Sequence, residues 1–133
     1  MEELRISTRA REELVDVTDL VQRLVRERGF ADGVLALYCP HTTAALTVNE
    51  GADPDVARDV TATLRALVPE RGDYRHAEGN SDAHVKCSLV GQGLFVIVED
   101  GRVRLGTWQR IFFCEFDGPR SRSFWAQWLP GGS

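Results

Sequence analysis

The chain alternates between short runs of period-two hydrophobicity and two segments of helical period. Leu4-Arg5-Ile6-Ser7-Thr8-Arg9 alternates as a strand does, and Glu13-Leu14-Val15-Asp16-Val17 follows as a second strand candidate. Thr18 is placed to cap a helix running to about Arg28, with Leu20, Val21, Leu24 and Val25 on one face and Gly29 at its end. Gly33 to Cys39 is an apolar run bounded by turn signals, a central strand. It feeds Pro40-His41-Thr42-Thr43, after which Ala45, Thr47 and Asn49 alternate with Leu46, Val48 and Glu50 as in a half-buried strand. Asp53-Pro54-Asp55 opens an amphipathic helix, expected to pack on a sheet. Asp53 is its N-cap, Pro54 its first residue, and it stops near Pro69.

Glu70 to Asp82 is polar, and Ala83 to Val90 reads as a short helix capped by Asp82 or Ser81 and ended by Gly91. The rest is β in texture. Leu94–Val98 and Arg102–Leu105 form a hairpin across Glu99-Asp100-Gly101; Ile111–Phe116 and Ser121–Leu129 are two further strands, joined through Gly118-Pro119. Pro130 to Ser133 reads as a frayed tail. The order implies one α+β domain over 1–133, with helices gathered on an antiparallel sheet.

Composition narrows the function. A length of 133 residues supports one core, and the net charge of -4 argues against a general nucleic-acid binder. No apolar run is long enough to span a bilayer, and Met1 to Arg5 lacks the apolar core of a signal peptide. Cys39, Cys87 and Cys114 are odd in number and widely spaced, as expected of a reduced, cytoplasmic protein. Cys39 ends an apolar run and reads as buried and structural, although His41 two residues on raises the alternative of an activated thiol.

The chemistry-bearing residues concentrate in the middle and near the end of the chain. His41, His76 and His84 are the three histidines, enough for an open metal site, with Glu50, Asp53, Asp55, Glu78 and Asp82 as neighbouring ligands or general bases. Loop histidines bonded to backbone are the plainer reading of the same residues. Lys86, Arg120 and Arg122 offer cations for phosphate or carboxylate, against which stands the reading of solvated edge arginines. Glu115, on an otherwise apolar strand, demands a partner if buried; Arg120 or Arg122 is the candidate.

These blocks resemble one known pattern. His41 through Glu50 followed by Asp53-Pro54-Asp55 looks like the signature of the YjbQ-like family. So do Tyr74-Arg75-His76, Asn80, Ala83-His84-Val85-Lys86, Gly106-Thr107-Trp108-Gln109 and Glu115 through Arg122. The likeness runs through nearly the whole chain. It implies a curved, mostly antiparallel sheet with two or three helices on one side, a homotrimer, and a site near the subunit boundary.

The family is also labelled secondary thiamine-phosphate synthase, so the resemblance implies a transferase joining hydroxymethylpyrimidine diphosphate to a thiazole phosphate. On that reading His41, His76 and His84 hold a divalent metal (Zn²⁺ or Mg²⁺) or contact phosphate. Glu50 and Asp53 are ligands or general bases, and Lys86, Arg120 and Arg122 clamp phosphate. Asn49 and Gln109 orient the substrate. The alternatives are a metal-dependent hydrolase or lyase acting on another small phosphorylated or carbonyl compound, and a trimeric ligand-binding protein without catalysis.

Overall fold

A computed structural model describes residues 1–132. The elements run β1 (Glu2–Ser7), β2 (Glu13–Asp16), α1 (Thr18–Arg28), β3 (Gly33–Tyr38), β4 (Ala44–Glu50), α2 (Pro54–Leu67), α3 (Ser81–Val90), β5 (Gly93–Glu99), β6 (Arg102–Arg104), β7 (Gln109–Glu115) and β8 (Ser121–Pro130). The class is α+β, and every strand pairing is antiparallel.

The strands form two curled sheets and not the single sheet expected: a five-stranded one in the order β1-β8-β3-β5-β6 and a three-stranded one in the order β2-β7-β4. The main core lies between them. Leu35, Leu37, Val96, Val98 and Phe124 come from the large sheet, Leu46, Ile111 and Phe113 from the small one, and Val21, Leu24 and Val25 from α1. The small sheet is covered on both faces. Ala45, Cys114 and Phe116 turn away from the main core and pack with Ala83 of α3. Small side chains at Ala44 and Ala45 let both layers approach β4, so its alternation marks two packed faces instead of one wet one.

Helix ends follow local chemistry with two exceptions. Asp53 caps α2 by accepting the Asp55 N–H at 2.9 Å, and Gly29 closes α1 in the left-handed region at φ 66°. Thr18, however, lies inside α1, and its hydroxyl accepts the Ile111 N–H at 2.7 Å, tying α1 to β7. Asn80, and neither Ser81 nor Asp82, occupies the N-cap of α3, because Asp82 is fully buried in an ion-pair network. The α2 helix also departs from expectation. It leans on β2, buries no side chain completely, and leaves Leu67 71% exposed.

Candidate active site

The site is assembled where β7 ends, β8 begins and the segment after β3 passes α3. Glu115, the last residue of β7, is fully buried. Arg122 forks onto it, with Nε 2.9 Å from Oε1 and a second bond from the terminal nitrogen to Oε2. The same terminal nitrogen reaches the Thr43 hydroxyl at 2.9 Å. The Thr8 hydroxyl donates to Glu115 Oε1 at 2.7 Å, and the Asp117 N–H donates to Oε2 at 3.0 Å. Burial opposes the charge, yet the Arg122 guanidinium, the Asp117 N–H and the Thr8 hydroxyl hold the carboxyl below the usual glutamate range. Arg122 is thus Glu115's partner, as one of the two sequence candidates, and its charge is already neutralised.

Gly118 shapes the turn that follows. A Cβ there would stand 2.5 Å from the Ala10 carbonyl and 2.8 Å from the Thr8 hydroxyl, so the β1–β2 connection leaves room for glycine only. Arg120 then projects outward half-exposed, its Nε donating to the Asp117 carbonyl at 3.0 Å and its terminal nitrogen to Asp117 Oδ2 at 3.2 Å. Asn80 Nδ2 donates to the same carboxylate oxygen at 2.8 Å, while Asn80 Oδ1 is buried without a partner. His41 is half-buried, its Nε2 2.8 Å from the Ser123 carbonyl. Donation from Nε2 to that carbonyl, the shorter of its two Ser123 contacts, would leave Nδ1 with a lone pair. Burial, with the nearby Arg122 charge, lowers the imidazole pKa below its ordinary 6.5. These residues, with Pro40, Thr42, Thr43, Glu78, His84 and Arg122, line an open pocket of about 410 Å³.

His41, His84, Arg120 and Arg122 line this one pocket together with Glu78. The three histidines do not converge as one ligand set. His76 stands edge-on to His84 at 5.3 Å between ring centroids, with its Nε2 3.8 Å from Glu78, whereas His41 is committed to Ser123. Among the described residues, no group of three or more His, Cys, Asp or Glu side chains is arranged to hold a metal.

Lys86 is elsewhere altogether. It is fully buried, its Nζ 2.8 Å from both Asp82 and Glu12; Arg11 forks onto Asp82 and Arg65 pairs with Glu12. A lysine bracketed by two carboxylates inside the protein cannot clamp phosphate. It sits there because Asp82 precedes it by one helical turn. Burial opposes the Asp82 charge, but Arg11 and Lys86 outweigh it and lower the pKa.

Asn49, Glu50, Asp53 and Gln109 are also outside the pocket. The register pairs Ala44 with Glu115 but Glu50 with Gln109, so they stand six residues along β4 from the pocket end, roughly 20 Å away at strand rise. Three of them have local duties: Asn49 accepts the Glu50 N–H, Asp53 caps α2, and Gln109 accepts the Gly106 N–H at 2.7 Å. Cys39 is fully buried, and burial pushes its thiol up to about 11, so it is no nucleophile at neutral pH. Sequence reasoning gave no role to Asp117, the residue that organises Arg120 and Asn80. Its place before Gly118-Pro119, where a turn must present a side chain, was the available signal.

A curled-sheet α+β domain with a polar pocket beside β8 is thus the class of molecule, and solved structures share the fold. The sequence model of the family described as UPF0047 protein YjbQ-like matches residues 2–131. A UPF0047 protein of Methanocaldococcus jannaschii is 50% identical over 123 residues, covering 92% of this chain and 89% of its own. The UPF0047 protein YugU of Bacillus subtilis is 50% identical over 121 residues, covering 90% and 92%. Among solved structures, a YjbQ/UPF0047-family protein of Clostridium acetobutylicum superposes with a TM-score of 0.94 at 46% identity, over 97% of this chain and all of the other. A conserved hypothetical protein of Thermus thermophilus gives a TM-score of 0.91 at 44% identity, again over 97% and 100%. The chain belongs to the YjbQ-like UPF0047 family.

Proposed function

We propose that the pocket around His41, His84 and Arg120 binds a small diphosphate-bearing substrate, and that the reaction is of the thiamine-phosphate synthase type. The observation that carries this reading is the pocket's pairing of a half-exposed arginine with two imidazoles, in a space of about 410 Å³ suited to a small molecule. In that reaction the thiazole nitrogen lone pair forms a new C–N bond to the pyrimidine methylene carbon. The C–O bond to diphosphate breaks, and its electron pair leaves on pyrophosphate. Arg120, oriented by Asp117, meets the charge that grows on the leaving group, and His84 supplies a second donor. His41, kept neutral near pH 7, positions the substrate without adding charge. The divalent cation enters as part of the substrate, the magnesium complex of the diphosphate, because the histidines do not form one ligand set.

A second reading, hydrolysis of a small phosphorylated compound, is favoured by the lone pair on His41, which suits a general base. Products separate the two. Purified protein given both thiamine precursors and Mg²⁺ should form thiamine phosphate, and His84→Ala and Arg120→Ala should each slow it at least tenfold. Release of phosphate without thiamine phosphate selects hydrolysis. Wild-type rates in a His41→Ala/His84→Ala double variant would remove the pocket from either reaction.

The same proposal includes self-association as a homotrimer. Its support is the outer face of the large sheet, where Phe95 (68% exposed) and Ile97 (56%) of β5 and Leu129 (51%) of β8 flank β3, Ile97 and Leu129 lying in one row through Val34. Light scattering on a Phe95→Glu/Ile97→Glu variant tests it, with monomer expected. A cytoplasmic setting belongs to the proposal too, supported by three free, buried thiols. No helix among the described residues is long and apolar enough to cross a membrane.

A further inference from the structure

The space beside His41 continues past it. Against the same imidazole lies a second hollow of about 220 Å³, lined by Glu3 and Arg5 of β1, Ser121 and Ser123 of β8, and again by His41 and Arg122. The two hollows share those last two side chains.

The strand register explains the arrangement. β3 pairs with β8 only as far as Tyr38 with Trp125, so Ser121 to Phe124 have a strand partner on one side alone, in β1. The His41 ring fills the place a continuing β3 would take, its Nε2 2.8 Å from the Ser123 carbonyl and 3.3 Å from the Ser123 N–H. The ring stands where the pairing of β3 with β8 stops. Across β1 and β8, Arg5 pairs with Ser123 and Ser7 with Ser121, which sets the guanidinium beside the two serines.

We infer that the site is bipartite: the second hollow holds the phosphate of a second ligand, a phosphate monoester, while the first is occupied. This rests on the reading that the larger pocket binds a diphosphate. The chemical class follows from the donors. Two hydroxyls and a guanidinium suit an acceptor-rich, doubly charged group. Arg5 is 83% exposed on its side chain and only loosely tied, at 3.9 Å, to Glu3, so an incoming phosphate can draw it away. Arg122 is saturated by Glu115 and acts here as wall. The volume admits a phosphate and a few further atoms, which makes this the subsite of the smaller partner. Two ligands held in hollows that share one imidazole are close enough together for a joining reaction.

Calorimetry with inorganic pyrophosphate and inorganic phosphate tests the inference. Wild-type protein saturated with magnesium pyrophosphate should still take up one phosphate per chain. Arg5→Glu should weaken that phosphate at least tenfold and change pyrophosphate binding less than twofold. Ser121→Trp, which fills the hollow from an exposed position, should do the same, whereas Arg120→Ala should weaken pyrophosphate instead. Competition between phosphate and pyrophosphate for one site, or unchanged phosphate binding in Arg5→Glu, overturns the bipartite site and leaves the pocket reading intact. Absence of pyrophosphate binding to the wild type overturns both.

Discussion

Two arginines that look alike in the sequence have different surroundings, Arg122 buried and Arg120 half-exposed, and replacing each should separate stability from the proposed binding. Arg122→Met removes both guanidinium bonds from Glu115, a carboxylate with no exposure of its own. Stripping one partner from a buried ion pair costs about 3–5 kcal/mol. The Thr8 hydroxyl and the Phe116 and Asp117 N–H groups remain on Glu115 and hold the cost to the lower end. With a urea slope of about 2 kcal/mol/M, a loss of about 3 kcal/mol moves the unfolding midpoint down by about 1.5 M. Glu115→Gln/Arg122→Met removes both charges and should recover at least half of that shift. The deficit should also narrow as pH falls below the ordinary glutamate value of 4.5. The depressed Glu115 pKa stabilises the wild type above the usual carboxylate range, and that advantage is lost as pH drops through the depressed value. Arg120→Ala, altering a half-exposed pair, should leave the midpoint within about 0.3 M while abolishing pyrophosphate binding. A midpoint shift under about 0.5 M for Arg122→Met, or a deficit that stays constant with pH, would refute the assignment of Arg122 as Glu115's structural counter-ion.

Three further outcomes follow from the same geometry. Gly118→Ala should lower the thermal midpoint by at least about 10 °C, since its Cβ would collide with the Ala10 carbonyl, a fixed backbone atom; a wild-type melting curve would show that the turn can shift freely. The wild-type protein should lose stability in acid below the ordinary aspartate and glutamate range, because Glu115 and Asp82 both have depressed pKa values, and urea midpoints from pH 7 to pH 2 would record it. The His41 imidazole should titrate below 6.5 by NMR, and Arg120→Ala should raise its midpoint by removing one of the nearby positive charges. A midpoint at or above 6.5 would contradict burial as the dominant influence on the ring.

The strands and helices were legible because period and punctuation agree along most of the chain. Asp53-Pro54 and Gly29 fix helix ends by local chemistry alone. Glu115 was legible as a buried acid in want of an arginine because a charge on an apolar strand must be paired. Lys86 was misread because nothing local reveals that Glu12, far away in sequence, closes over it. Asn49, Glu50 and Asp53 appeared to share a site with His41 because they follow it closely in the chain. A strand carries its two ends apart, and β4 is long enough to divide them. Thr8 and the Asn80 contact of Asp117 went unassigned because they depend on long-range pairings, Thr8 with Glu115 and Asn80 with Asp117, that no spacing displays. The split into two sheets was hidden by Ala44 and Ala45, whose small side chains do not announce that both faces of β4 are covered.

Amide chemical-shift mapping with magnesium pyrophosphate tests whether ligand binds at the His41, His84 and Arg120 end of β4. Shifts should concentrate at residues 40–43, 78–84 and 117–123 and be lost in Arg120→Ala. Shifts centred instead on residues 49–53 and 106–110 would place the site at the opposite end of the strand and contradict the proposed site.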